Sequence, residues 1–206
     1  MLIHGVDRGG HDEWRAFLSA HPFGELVAGG RDRDVPIVVP TQFLLDGDEI
    51  VLHLARPNPV WGAIEENDRV ILSVSGDWSY IPSAWKAMGD EDPRLGIPTT
   101  YYAGVQLTGT ARIVDEPEAV AAVLRQQLGA MQPEVDVADP TDHGVKLRAI
   151  RGLRIAVHEV RAKFKYGGNV DRDHRLAVAE LLAQRDGPGD AAARAHLLRR
   201  LDAPDA

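Results

Sequence analysis

The 206-residue chain contains no cysteine, which excludes disulfide frameworks, thiolate metal sites, iron-sulfur clusters and thiol catalysis. Aromatic residues are scarce, at 6%. No run approaches the ~20 apolar residues that a membrane span needs, and the opening MLIHGVDRGGHDEW lacks the apolar core of a signal peptide. A soluble, unprocessed, cytoplasmic protein is expected. Also missing are G-x-x-x-x-G-K-[ST], G-x-G-x-x-G, G-x-S-x-G and H-E-x-x-H, so nucleotide hydrolysis, Rossmann cofactor binding and serine hydrolysis have no motif support. The eight histidines include no pair at i, i+4 spacing, and no metal site is expected.

Positive charge is also in short supply. The chain has 23 Lys and Arg against 31 Asp and Glu, a net charge of -8. Phosphate neutralisation by basic side chains supplies most nonspecific nucleic-acid affinity, so direct nucleic-acid binding is not expected. The cations are concentrated, however: Lys146 to Arg175 holds nine Lys or Arg and three Asp or Glu. Such a run is either a solvated face or a surface that meets a phosphorylated ligand.

What is present is ordinary globular composition, 44% hydrophobic and 26% charged, enough for one domain with its own core. We divide the chain into a domain over 1–186 and a C-terminal tail over 187–206. A short helix is predicted over 12–20, stopped by His21-Pro22. Strands follow at 25–28, 36–45 and 49–54, and Asp46-Gly47-Asp48 is the strongest hairpin signal because Asp-Gly supplies the positive φ of a tight turn. A short helix is possible within RPNPVWGAIEEN, before a strand over 69–75 that 78–81 extends. Residues 82–98 form a long loop of functional length. Tyr101 to Val114 reads as a long strand, in which Gly104 and Gly109 mark a bulge or a close approach by ligand or backbone. Asp115 is the expected N-cap of a helix with Glu118 at the capping-box position, continued by Val120, Val123, Leu124, Leu128 and Met131. After a linker come a turn of helix at 145–150, a strand over 153–160 and a helix over 172–184. A terminal helix over 191–201 is expected to be frayed or packed on a partner. Successive strands with helices at the periphery predict a mainly β, α+β fold: an antiparallel barrel rather than a parallel α/β sheet. His53 and His158 lie in strands, where a lone histidine is most simply satisfied by neighbours.

Four segments together resemble the PaiB-like family of FMN-binding proteins, often labelled negative transcriptional regulators: HPFGELVA at 21–28, LHLARPNPVW at 52–61, PTTYYAGVQLTG at 98–109 and RAKFKYGGN at 161–169. YIPSAW at 80–85 and IRGLRIAV at 150–157 fit the same pattern, and the resemblance covers roughly residues 12–182. It implies an antiparallel split β-barrel with peripheral helices, like that of pyridoxamine 5'-phosphate oxidase. It also implies a homodimer with FMN in a groove at the subunit interface.

Several residues make physical sense for such a ligand, which needs cationic donors at its phosphate and an apolar slot edged by polar groups for its ring. Arg56, presented ahead of Pro57-Asn58-Pro59, is the first phosphate candidate, with Asn58 in the same turn. Lys163 and Lys165 match the family's K-x-K motif. His53, Leu54 and Ala55 match the strand whose backbone faces the flavin. Tyr80 and Ser83 fall where the family has P-S-W-Y, and Trp85 stands one place late. Pro98, Thr99 and Tyr102 survive from P-T-W-N-Y, and Asn169 from L-S-Q-N. No catalytic residue stands out. The resemblance implies an FMN-dependent oxidoreductase or flavin sensor acting on a small molecule, with a PaiB-type regulator, or a split barrel using haem or a deazaflavin, as the alternatives.

Overall fold

The computed structural model of the protein describes residues 1–87, 89 and 91–202. Seven strands, β1 (Phe23–Ala28), β2 (Ile37–Gln42), β3 (Leu44–Asp46), β4 (Glu49–Ala55), β5 (Arg69–Ile81), β6 (Thr99–Val114) and β7 (Ile150–Lys165), form one sheet in the order β2-β1-β5-β6-β7-β4-β3. The β1–β2, β1–β5, β3–β4 and β4–β7 pairs are antiparallel. Among the described residues the order ends on β2 and β3 without closing. Six α-helices complete an α+β fold: α1 (His11–Ala20), α2 (Val60–Glu66), α3 (Pro117–Met131), α4 (Val145–Arg148), α5 (Arg172–Arg185) and α6 (Asp190–Asp202).

The chain divides into two compact units. The first comprises 1–14, 75–105 and 162–206, and the second 15–74 and 106–161. The boundary falls inside β5, β6 and β7.

In the second unit, alternation fixes register. Leu26 and Ala28 of β1 and Val70 and Leu72 of β5 are each at most 2% exposed, and Leu26 pairs with Leu72 and Ala28 with Val70. A one-residue slip would turn these chains outward. The β3–β4 hairpin is as predicted: Asp46 pairs with Glu49, leaving Gly47-Asp48 as the loop, with Gly47 at φ 58°. The expected strand over 36–45 is broken at Phe43, whose N–H donates to the Pro22 carbonyl at 3.0 Å while its ring is buried. Gly109 meets backbone, not ligand: a Cβ there would lie 2.4 Å from the Ala156 carbonyl oxygen. Gly104 has ordinary clearance.

The helix start at 115 needs correction. The N-cap of α3 is Glu116, with no side-chain cap, and Pro117 occupies the first turn. Asp115 does not cap because its carboxylate is held by Arg56 and Arg151, 2.7 and 2.9 Å away. Glu118 likewise pairs with Arg125. Val120 and Val123 are buried, whereas Met131 is exposed.

Along β5 the burial phase changes. Buried positions run 70, 72, 74 and then 79, 81, so the phase shifts by one residue. The shift occurs between Val74 and Ser79, a stretch in which Asp77 adopts φ 51°. The core of the first unit includes Ile81, Tyr101, Ala103, Phe164, Tyr166, Val178 and Leu182. The terminal helix packs within its own unit: Ala193 and Leu197 of α6 are fully buried and His196 stacks on Tyr166 at 4.5 Å. Apolar burial of this kind contributes roughly 1.5–3 kcal/mol per large side chain. Its polar anchor is Asp190, which accepts bonds from Arg185, Ser79 Oγ at 2.6 Å and the Gly187 N–H at 2.9 Å.

Candidate functional site

The sequence-predicted residues fall into two groups, one in each unit. In the second unit, β4 delivers His53, Leu54 and Ala55 into the turn that carries Arg56 and Asn58. The turn is rigid because its polar groups are used locally. The Ala55 carbonyl accepts from Trp61 Nε1 at 2.9 Å and from the Asn58 N–H at 3.0 Å, and Asn58 Oδ1 accepts from the Val60 N–H at 3.0 Å. His53 Nδ1 lies 2.7 Å from Gln127 Oε1. His158 Nε2 is 2.9 Å from Thr110 Oγ1, so both strand histidines have neighbours.

Arg56 is engaged on three sides. Its Nε donates to the Arg148 carbonyl at 2.8 Å, one terminal nitrogen reaches the Ile150 carbonyl at 3.3 Å, and the same nitrogen pairs with Asp115. Arg151 completes the network, bridging Asp115 and Glu65 with its guanidinium 5.5 Å from the Trp61 ring centroid. These two guanidiniums hold the Asp115 carboxyl down at about 2. Two cations of the run 146–175 are thus paired within the second unit, Arg151 as above and Arg154 with Glu49.

In the first unit, Lys163 and Lys165 lie two apart on β7, with the buried Phe164 between them. Their surroundings differ. Lys163 is buried, donates to the Leu2 carbonyl at 3.0 Å, lies 3.9 Å from Asp7, and sits 5.7 Å from the Tyr102 ring centroid. Lys165 instead donates to Thr99 Oγ1 at 2.5 Å, and among the described residues no carboxylate pairs with it. Tyr80 is exposed. Ser83 opens a short 3-10 turn, Ser83–Trp85, and Pro98 and Asn169 lie on exposed backbone. Trp85 is occupied by Arg185, whose guanidinium carbon is 4.6 Å from the ring centroid.

Two residues that the sequence did not single out belong beside Lys165. Lys86 follows the 3-10 turn, and both burial and the charge of Lys165 push its pKa down. His174, in the first turn of α5, is pushed down by burial and then by Lys86, against the charge of Asp171 and a hydrogen bond that its ring donates to the Trp85 backbone, both of which favour the charged ring. Its Nε2 is buried without a hydrogen-bond partner, as is the hydroxyl of Tyr101. Burial carries the Tyr101 hydroxyl up to about 12. The donor set of this unit, an ammonium held by a hydroxyl beside a second ammonium, fits a phosphate. Among the described residues no group of three His, Asp or Glu could hold a metal ion, and no helix is long and apolar enough to cross a membrane.

The open antiparallel sheet with peripheral helices defines an α+β class that the comparisons narrow. Residues 6–159 match the family described as "Putative FMN-binding domain", and the chain belongs to that family, whose cofactor is FMN. It is 24% identical over 184 residues to the protease synthase and sporulation protein PAI 2 of Bacillus subtilis (strain 168), covering 84% of each chain. The fold is similar to that of the flavocytochrome Anf3 from Azotobacter vinelandii: TM-score 0.62, 20% identity, 84% of this chain and 76% of that one. It is similar also to the FAD and heme binding protein from Mycobacterium smegmatis: TM-score 0.60, 19% identity, 82% of this chain and 77% of that one.

Proposed function

We propose that the protein is an FMN-dependent oxidoreductase that acts on a small molecule as a homodimer. The observation that carries this reading is the family match over 6–159, met in the first unit by an ammonium, Lys165, that a hydroxyl rather than a carboxylate holds. Bound flavin supplies hydride and single-electron chemistry from its own ring, so the chain needs to bind, orient and exclude. Thr99 and Lys165 offer hydrogen-bond donors to a phosphate. Tyr80, Ser83, Pro98, Tyr102 and Asn169 are the candidates for ring and ribityl contacts in the same unit. In the second unit His53, Leu54, Ala55, Arg56 and Asn58 are held as a rigid edge, and Arg56 reaches a ligand only by leaving Asp115.

The test is the visible spectrum of the purified protein, followed by release and identification of the chromophore. Flavin bands and released FMN are expected, with FMN binding more tightly than riboflavin in titration calorimetry. A sharp haem band, a deazaflavin spectrum, or no affinity for any flavin would overturn it. A second reading, a regulator, draws on the similarity to the sporulation protein PAI 2. The net charge of -8 weighs against direct DNA contact, and duplex binding that falls steeply with salt would restore it.

A further inference from the structure

Residues 2–9 lie against the last residues of β7, within the first unit, and they are attached by backbone groups. The Gly9 N–H donates to the Ala162 carbonyl at 3.1 Å and Arg8 bridges to Lys163. From α6, Arg200 donates to the Val6 carbonyl at 2.7 Å and to the Arg8 carbonyl at 3.3 Å. The fit is close at two glycines. A Cβ on Gly9 would lie 2.6 Å from the Phe164 ring, and one on Gly168 would lie 2.5 Å from the Val6 carbonyl oxygen. Apolar burial contributes little to this attachment. Of residues 2–9 only Asp7 is buried, whereas Leu2 is 73% and Val6 49% exposed. A segment held by hydrogen bonds, with its apolar side chains in water, opens at a lower cost than the packed unit beneath it. A joint is available where it meets α1, since a Cβ on Gly10 would meet nothing within 4 Å.

What this strap holds is Lys163. The Leu2 carbonyl accepts from the ammonium at 3.0 Å, Asp7 stands 3.9 Å away, and the Tyr102 ring centroid is 5.7 Å away. The start of the strap lies over the same strand as Tyr102, because a Cβ on Gly104 would be 3.7 Å from both the Met1 sulfur and the Tyr102 ring. A neutral carbonyl is a weak partner for an ammonium, and an anionic ligand oxygen makes a shorter and stronger bond. We propose that residues 2–9 form an autoinhibitory strap, which in the closed state occupies Lys163 with the Leu2 carbonyl and Asp7 and in the open state yields Lys163 to an anionic ligand. Strap and ligand then exclude each other at this lysine. The identity of the ligand as FMN rests on the flavin reading above, and the opening of the strap does not.

The experiment compares wild type with two variants that loosen the strap from opposite sides. Arg200→Gln removes the donors to Val6 and Arg8, and Gly168→Ala drives a methyl group against the Val6 carbonyl. The first readout needs no flavin: acylation of each lysine by a small active ester, followed by mass spectrometry at several urea concentrations below the unfolding transition, with the exposed Lys146 as reference. Lys163 of wild type is expected to react through an opening that urea hardly accelerates, and about 10-fold faster in both variants, the change that follows when a closed state favoured roughly ten to one is abolished. The second readout is stopped-flow and calorimetric binding of FMN, in which association rate and affinity are expected to rise by the same factor. Lys163 reacting in wild type only as fast as the whole unit unfolds overturns the strap. So does FMN binding that is unchanged within twofold in both folded variants. A fall in FMN affinity in both would mean that the segment clasps the ligand instead of competing with it, and also overturns the proposal. If only the loosened variants bind FMN, the strap stands as a fully closed gate. If no form binds FMN, the flavin reading falls, and the acylation rates alone decide the strap.

Discussion

Arg56 and Asp115 form an ion pair at 2.7 Å that joins the turn after β4 to the end of β6. Arg151 shares the same carboxylate. The Asp115 side chain is 44% exposed, so solvent screens both pairs and each contributes at the low end of the ion-pair range. Asp115→Asn is expected to lower stability by about 1 kcal/mol, read as a shift in the urea midpoint at constant slope. A shift several times larger would mean that the network carries the β4 edge on its own.

Asp190 is the opposite case. Its side chain is 2% exposed, and the Arg185 guanidinium, the Ser79 hydroxyl and the Gly187 N–H all donate to it. Asp190→Ala leaves those donors unpaired near the start of α6 and is expected to cost roughly 3 kcal/mol, with the loss visible in the far-ultraviolet melt. A change under a third of that would show that α6 is held by its apolar face alone.

Both carboxyls titrate low in the folded protein, near 2 for Asp115 and near 2 for Asp190, against about 3.9 for a free aspartate. A depressed folded value means that the fold prefers the charged form. Their contribution is therefore complete above about pH 4 and is lost as pH falls through 2. Melting temperatures measured from pH 5 down to pH 2 should decline, and the decline should be shallower in Asp190→Asn. An equal slope in the two proteins would remove Asp190 from the linkage.

Tyr101 gives a less intuitive expectation. It is 1% exposed and its hydroxyl has no hydrogen-bond partner. Tyr101→Phe removes a buried unsatisfied group, and stability is expected to rise by about 1 kcal/mol. Gly167→Ala should do the reverse. Its φ is 72°, and a Cβ there would stand 2.6 Å from that same hydroxyl oxygen, so a cost of roughly 1–3 kcal/mol is expected. If the double variant recovers most of the loss, the clash with the hydroxyl dominates; if not, the backbone conformation does.

Local chemistry carried most of the fold into view. The Asp46-Gly47-Asp48 turn, the strands at 25–28 and 69–75 and the helix over 172–184 all rest on short-range signals, and the structure has each. Where long-range partners compete, local reasoning failed. Asp115 looks like a cap until Arg56 and Arg151 are placed on it, and β7 runs on to Lys165 because pairing in the sheet outweighs the polar composition of RAKFK. The site was legible only in part for the same reason. Lys163 and Lys165 stand in a motif, yet the fold gives Lys163 to Leu2 and Asp7 and leaves Lys165 with Thr99. Lys86 lies far from both in sequence, in a loop without periodicity, and His174 reads as an ordinary helix residue. The one usable signal was that His174 falls inside the cationic run.

Neither compact unit is a contiguous stretch of chain: the unit that holds Lys86, Lys165 and His174 is assembled from 1–14, 75–105 and 162–206. A recombination event with one or two breakpoints cannot transplant it into another gene, and a terminal truncation removes only a fragment of it. Descendants of this chain should therefore diversify by exchanging individual side chains in its loops, not by shuffling modules. A library for altering its ligand is best built from point substitutions at fixed length.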